Sequence, residues 1–209
     1  MPPPDTLLTF FAASLLLGLA PGPDNIFVLT QSALYGRAAG LAVMLGLCTG
    51  LLVHTGAVAL GVAALLRASA LAFTALKLAG AAYLLYLAWH AFRAGAADLH
   101  PARGVARTRW QLYRRGIIMN VTNPKVSIFF LAFLPQFADP QHGPVALQIV
   151  ALGGVFIVAT ILVFGGVALA AGALGEWLAR SPGAQRVMNR VAAAVFAALA
   201  LSLAASKIR

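Results

Sequence analysis

The chain is poor in charge. Of its 209 residues only 10% are charged, and five of them are acidic, whereas a soluble domain is about a quarter charged. Hydrophobic residues make up 61% of the chain, and they fall in runs of about 20 residues, the length that crosses a bilayer. The longest polar stretch, near residues 95–110, is too short to bury a core of its own. The sequence therefore predicts an integral membrane protein without a soluble domain.

Cysteine is almost absent as well. The single Cys48 excludes an internal disulfide and a multi-cysteine metal site, and no metal or other cofactor is expected. The net charge of +10 would suggest nucleic acid as the partner of a soluble protein. In a membrane protein, basic loops instead fix orientation and meet anionic lipid, so membrane lipid is the expected partner. No Lys or Arg precedes the first apolar run, so we expect that segment to be retained and not cleaved as a signal peptide.

Hydropathy predicts six spans. Each should be helical, because a helix satisfies the backbone hydrogen bonds that lipid cannot. Their bounds are about 6–35, 38–66, 70–92, 116–137, 145–174 and 185–205. Proline interrupts the first span at Pro21-Gly22-Pro23 and the fourth at Asn123-Pro124. Strand alternation is not seen in the sequence. We therefore predict a single all-α transmembrane domain built as a 3+3 inverted repeat, with halves of about 5–94 and 115–206 and a basic loop of about 95–114.

The loop cations predict the orientation. Most of them fall on one side of the predicted bundle: Arg37, Arg93, Arg103, Arg107, Arg109, Arg114, Arg115, Arg180, Arg186 and Arg190. The other side holds Arg67, Lys207 and Arg209. Because positive loops stay in the cytoplasm, both termini are expected on the periplasmic side and the long basic loop inside. Lys77, within the third span, is expected to snorkel to the outer headgroups.

Two opposite charges lie next to the two breaks. A charge at the bilayer centre costs from about 3 to more than 10 kcal/mol, yet Asp24 follows Pro23 and Lys125 follows Pro124. At 1.5 Å per residue they lie about 18 and 15 Å from the cytoplasmic ends of their spans, near the midplane of a core about 30 Å thick. A structural salt bridge is the alternative. We favour a functional pair, because the breaks would weaken a purely structural bundle.

The breaks bring further polar groups to the same depth. Proline frees carbonyls of the preceding turn, and the following half-helix begins with exposed amides. The predicted substrate-binding residues are Asp24, Asn25, Pro21, Gly22, Pro23, Asn120, Asn123, Pro124 and Lys125. A small zwitterionic amino acid fits this set, with its ammonium at Asp24 and its carboxylate at Lys125. In an empty site the two charged side chains could pair with each other.

Asp24 and His54 are the candidates for proton coupling. Asp24 could carry a proton in place of substrate. His54 shares a helix face with Gly46 and Gly50, small residues that allow close helix approach, so it is expected to face the bundle. It could relay a proton, although a hydrogen-bonded structural histidine is the commoner outcome. The glycine faces also leave a homodimer open.

Several stretches resemble the LysE/RhtB family of amino-acid exporters. The most specific are Ala20-Pro21-Gly22-Pro23-Asp24-Asn25 and Asn120-Val121-Thr122-Asn123-Pro124-Lys125, and the others are residues 36–40, 46–61, 77–84, 129–131 and 134–137. The resemblance covers nearly the whole chain. It implies an efflux carrier of the bacterial inner membrane that works by alternating access in exchange for protons. The Asp24 position and the Phe-rich fourth span look more like the homoserine, threonine or leucine branch than the lysine and arginine branch.

Other functions stay open beside this one. The chain could export basic amino acids or another small zwitterion. An intramembrane enzyme would need a Ser–His pair, paired carboxylates or an HExxH run. The sequence offers only isolated candidates, namely Ser14, Ser127 and His54, so catalysis is not expected. A channel or a structural membrane subunit is a third class. Saturable efflux driven by a proton gradient would identify a carrier and exclude both.

Overall fold

The structure, a computed structural model, describes residues 1–68, 70–95 and 107–205. These residues form helices and turns without a strand. The α-helices are α1 Pro4–Leu19, α2 Pro23–Tyr35, α3 Arg37–Ala68, α4 Ala70–Arg93, α5 Arg109–Val121, α6 Pro124–Ile128, α7 Val145–Arg180 and α8 Pro182–Ala205. A π-helical turn, Phe129–Phe133, and two 3-10 turns, Leu134–Phe137 and Pro140–His142, follow α6. The predicted loop cation Arg103 and the terminal Lys207 and Arg209 lie outside the described residues.

Two helix pairs are sharply bent, at the places where the sequence predicts breaks. The chain turns by 63° between α1 and α2, and by 50° between α5 and the segment that α6 begins. Pro21, Pro23 and Pro124 lack the amide that would continue each helix. Four straight helices are long and apolar enough to cross a membrane, and each bent pair can supply one more, which gives up to six. The predicted all-helical, multi-pass fold with helices broken at these points is confirmed.

The two halves are built alike and interlock. Each consists of one bent pair followed by two long helices. The first bent pair, α1 and α2, packs against α7 of the second half, and α5 of the second bent pair packs against α3 of the first half. Long helices also pair across the halves, α3 with α7 and α4 with α8.

The fourth span begins earlier than predicted, at Arg109 instead of residue 116. A reciprocal cap starts α5, in which the Gln111 amide donates to Thr108 Oγ1 at 3.3 Å and the Thr108 amide donates to Gln111 Oε1 at 2.9 Å. Such a capping box satisfies two amides that a helix start leaves open. Arg109, Arg114 and Arg115 therefore belong to a helix. The helix thus begins within the stretch of about 95–114 that the sequence assigns to the basic loop.

Glycines bring α3 and α5 into close contact. A Cβ on Gly46 would run into the backbone carbonyl of Tyr113, and one on Gly116 would meet the carbonyl of Val43. A Cβ on Gly50 would lie 2.7 Å from the Asn120 side chain. The glycine face of α3 is thus used for packing inside the chain, and it gives no support to a homodimer.

Lys77 does not reach the surface. Its side chain is 7% exposed, and it lies on the same face of α4 as the buried Gly80, where a Cβ would meet Ala132 of the π-helical turn. The prediction that Lys77 snorkels to the outer headgroups is wrong, because its helix face is covered by neighbouring helices.

Aromatic side chains fill the space beyond the second break. Phe129 lies 4.8 Å from Phe133 and 5.4 Å from Phe156 between ring centroids, and Phe10 of α1 lies 5.1 Å from Phe137. The cluster joins α1 and α7 to the segment that follows α6. It closes one side of the broken region with apolar packing.

Candidate functional site

The two breaks meet through Asp24 and Asn123. Asp24 lies in the first turn of α2 and is 4% exposed, and Asn123 is the residue that caps α6. The Asn123 Nδ2 group donates to Asp24 Oδ2 at 2.8 Å, while Asn123 Oδ1 accepts from the backbone amide of Lys125 at 3.0 Å. One amide side chain therefore caps its own half-helix and bonds the carboxylate of the opposite half.

The Lys125 side chain crosses between the halves in the other direction. Its Nζ donates to the carbonyls of Leu17 at 3.4 Å and Ala20 at 3.3 Å. Both carbonyls are at the end of α1. That of Leu17 would meet the amide of residue 21 in a continued helix, which Pro21 lacks, and that of Ala20 is free because the helix ends there. The end of a helix also favours a cation. A Cβ on Gly22 would lie 3.2 Å from Lys125 Nζ, so a side chain at this position would crowd the ammonium.

Asp24 and Lys125 do not pair with each other. Within the described residues no ion pair of 4.0 Å or less joins them. The expectation that they pair in an empty site, and the alternative of a structural salt bridge, are both wrong for this conformation. Each charged group has a neutral partner in the opposite half instead, the Asn123 amide for Asp24 and the α1 carbonyls for Lys125.

Buried oxygens around the breaks lack hydrogen-bond donors. In the part of the chain that the structure describes, Asp24 Oδ1, Asn25 Oδ1 and Asn120 Oδ1 are buried without a partner. Asn25 uses only its Nδ2, which donates to the carbonyl of Gly18 at 2.7 Å. A buried acceptor left unsatisfied costs about 1–3 kcal/mol. Acceptors left open in this way suit a ligand that brings several donors, as an ammonium group does.

His54 reaches the second break but not Asp24. Its Nε2 donates to the backbone carbonyl of Asn120 at 3.1 Å, and its ring lies 5.6 Å from that of Phe130. His54 thus faces the bundle, as the glycine pattern predicts. A connection from His54 to Asp24 would pass through the 120–123 segment and the Asn123 side chain.

The remaining predicted residues shape the backbone or bond to it. Pro21, Gly22, Pro23 and Pro124 shape the two breaks. Ser14 donates to Phe10 O at 2.7 Å and Ser127 to Asn123 O at 3.1 Å, so both candidate nucleophiles bond the backbone of their own segment. No group of three His, Cys, Asp or Glu side chains in the searched residues could hold a metal ion.

Sequence reasoning missed two buried polar residues on α2. Gln31 is 7% exposed and Ser32 is 5% exposed, and Gln31 Oε1 and Ser32 Oγ have no hydrogen-bond partner in the described segments. The signal was present, since Gln31 follows Asp24 by seven residues, or two turns of one helix face. A polar residue two turns after a charged one, within an apolar span, indicates a second polar position on the same helix face.

Comparisons with known proteins identify the family. The model of the LysE type translocator family matches residues 15–207. The homoserine/homoserine lactone efflux protein of Salmonella typhimurium is 36% identical over 199 residues, 95% of each chain. An uncharacterised membrane protein of Vibrio cholerae is 34% identical over 96% of this chain and 97% of its own. The leucine efflux protein of Salmonella choleraesuis is 30% identical over 63% of this chain and 62% of its own. No solved structure matches the chain.

Proposed function

The chain belongs to the LysE type translocator family, which makes it a multi-pass amino-acid efflux transporter, and we propose that it exports a small neutral amino acid or derivative. Homoserine is the first candidate, because the homoserine efflux protein of Salmonella typhimurium matches over 95% of both chains. Threonine, leucine and similar compounds are the next candidates. The site residues named above bind the substrate in this proposal.

The unpartnered oxygen of Asp24 is the observation that carries the proposal. One oxygen of the carboxylate is bonded to Asn123, and the other is buried without a donor. A substrate ammonium supplies that donor together with the opposite charge, and in this proposal the unpartnered oxygens of Asn25 and Asn120 accept from further donors of the substrate. Lys125 receives the carboxylate, exchanging its long bonds to two neutral α1 carbonyls for a bond to a group of opposite charge.

Proton antiport follows from the same carboxylate. A buried carboxylate that is bonded only to a neutral amide carries a desolvation cost, so in this proposal Asp24 holds either a substrate ammonium or a proton. Alternating occupancy of this kind couples outward movement of substrate to inward movement of a proton, as the two bent pairs rock between two conformations. His54 is the second proton-coupling candidate, acting through the segment that holds Asn120 and Asn123.

The proposed location is the bacterial inner membrane. The termini lie in the periplasm and the basic face, with Arg109, Arg114 and Arg115, lies in the cytoplasm, because cationic loops are retained there. The chain functions as one transmembrane domain in a lipid bilayer.

Counterflow in proteoliposomes tests the function. Vesicles loaded with unlabelled homoserine, threonine, leucine or lysine are given labelled homoserine, with and without an imposed pH gradient. We expect saturable exchange with the neutral compounds and weak exchange with lysine, together with a response to the gradient. Exchange best supported by lysine would favour a basic amino acid as substrate. Movement without saturation or exchange would indicate a channel.

A further inference from the structure

A second buried polar group lies on α2, on the cytoplasmic side of Asp24 in the proposed orientation. Gln31 follows Asp24 by seven residues, which places it about 10 Å along the helix and about 20° around it. Its Oε1 is buried and has no partner within the described residues. Burying such a group is unfavourable for folding, so a packing role explains it poorly.

Gln31 lies on the same face of α2 as Phe27, the residue that Arg115 of α5 approaches. Both α2 and α5 pack on α3, yet their contact with each other is slight. The two helices lead from the proposed cytoplasmic face to the breaks that hold Asp24 and Asn123. In the proposed orientation, the seam between α2 and α5 therefore leads from that face to the binding site.

A cation of α5, Arg115, lies next to α2. The Arg115 guanidinium lies 5.4 Å from the ring centroid of Phe27 on α2. Phe27 precedes Gln31 by four residues, so the two side chains are neighbours on one helix face. Arg115 forms no hydrogen bond or ion pair in the described parts of the chain. A guanidinium stacked on a ring keeps its in-plane donors available for a carboxylate.

We propose that Gln31 and Arg115 form an inner binding station for a zwitterionic amino acid, occupied before the substrate reaches Asp24 and Lys125. Gln31 Oε1 accepts from the substrate ammonium, and Arg115 donates to the carboxylate. The station has the same plan as the central site, an acceptor on α2 and a cation from the second half. It rests on the proposed export function, because it lies on the path that export from the cytoplasm requires.

Uptake into everted membrane vesicles tests this station, since their outer surface is the cytoplasmic face. The measurement is the half-saturation concentration of labelled homoserine for full-length protein. Gln31→Met keeps the length of the side chain and removes its amide, and Arg115→Gln removes the cation. Gln141→Met and Arg114→Gln make the same changes at exposed positions and serve as matched controls.

We expect each station variant to raise the half-saturation concentration about tenfold, the effect of one hydrogen bond to a charged ligand group. The controls should stay within about twofold, the range of a surface change. The thermal unfolding midpoint of Gln31→Met in detergent should equal or exceed that of the wild type, because the lost oxygen bonds nothing in the protein.

Two results would overturn the inner station. In one, Gln31→Met lowers the unfolding midpoint and leaves the half-saturation concentration unchanged, as a packing residue would. In the other, Arg115→Gln behaves like Arg114→Gln, as a surface charge would. A wild-type protein that moves none of the amino acids tested would overturn the proposed function itself, and the station with it. Wild-type transport combined with either of the first two results would leave the function standing.

Discussion

Replacing Asp24 by Asn separates the charge of this residue from its hydrogen bond. Asp24 Oδ2 accepts from Asn123 at 2.8 Å, and Oδ1 has no partner. An asparagine of the same shape can keep its oxygen toward Asn123 and place its NH₂ group where the free oxygen was. The bond between the two breaks is therefore kept, while the negative charge is lost.

The energies of this change have opposite signs. A hydrogen bond to a charged group contributes about 1.5–3 kcal/mol and a neutral one about 0.5–1.5 kcal/mol, so the bond to Asn123 weakens by about 1 kcal/mol. Removing a buried charge whose hydrogen-bond partner is a neutral amide relieves a desolvation penalty of several kcal/mol, which the attraction of Lys125 offsets only in part. We expect Asp24→Asn to unfold at the wild-type temperature or above it. Asp24→Ala, which leaves the Asn123 amide without its acceptor, should unfold at a lower temperature.

Transport should respond in the opposite way. An amide oxygen cannot balance a buried ammonium, and loss of a buried ionic partner costs about 3–5 kcal/mol, which is more than a hundredfold in binding. Homoserine counterflow by Asp24→Asn should therefore fall at least a hundredfold, while the exposed control Asp5→Asn transports normally. Thermal unfolding in detergent is measured on the same samples. Wild-type counterflow by Asp24→Asn would refute the role of the carboxylate, and a much lower unfolding temperature would refute the account of its hydrogen bonds.

Three further outcomes are expected. Lys125→Gln should abolish homoserine counterflow, because an amide cannot supply the charge for the substrate carboxylate, and near-normal exchange would contradict this. Gly46→Ala should lower the unfolding temperature by several degrees, since overpacking against the α5 backbone costs about 1–3 kcal/mol. Gly56→Ala, whose Cβ meets nothing within 4 Å, should be neutral or stabilise by up to about 1 kcal/mol, and equal effects at the two glycines would contradict the packing described. Thr108→Ala should remove the cap of α5, cost about 1 kcal/mol and reduce hydrogen-exchange protection in its first turn.

The breaks were predictable because their cause is local. A proline within an apolar run removes a backbone donor whatever the run packs against. Pro21, Pro23 and Pro124 therefore predict both bends. The start of α5 was not predictable from hydropathy, because its first turns are polar and are fixed by the Thr108 cap instead of by apolar content. A capping signal depends on which residues stand three positions apart. A hydropathy average over a window does not retain that information.

Side-chain partners were harder to predict than helices. Opposite charges beside matching breaks pointed correctly to one region for Asp24 and Lys125. Their actual partners depend on distances of an ångström or two between separate helices, and the sequence holds no such distances. The burial of Lys77 was missed for the same reason, since only the packing of α4 shows which of its faces is covered.

The separation of the two central charges has a consequence for the proposed cycle. If Asp24 and Lys125 were paired, a zwitterion would have to break a buried ion pair before it could bind, and in a medium of low dielectric that pair is strong. In the structure Asp24 is held by one amide and Lys125 by carbonyls at 3.3 and 3.4 Å. A zwitterion can place its ammonium on the free oxygen of Asp24 and its carboxylate on Lys125, so binding gains two ion pairs and loses only the two long bonds of Lys125. Because those two bonds join one half of the chain to the other, occupancy of the site also changes what holds the halves together. Substrate binding and movement of the bent helices are thereby linked through the same few bonds.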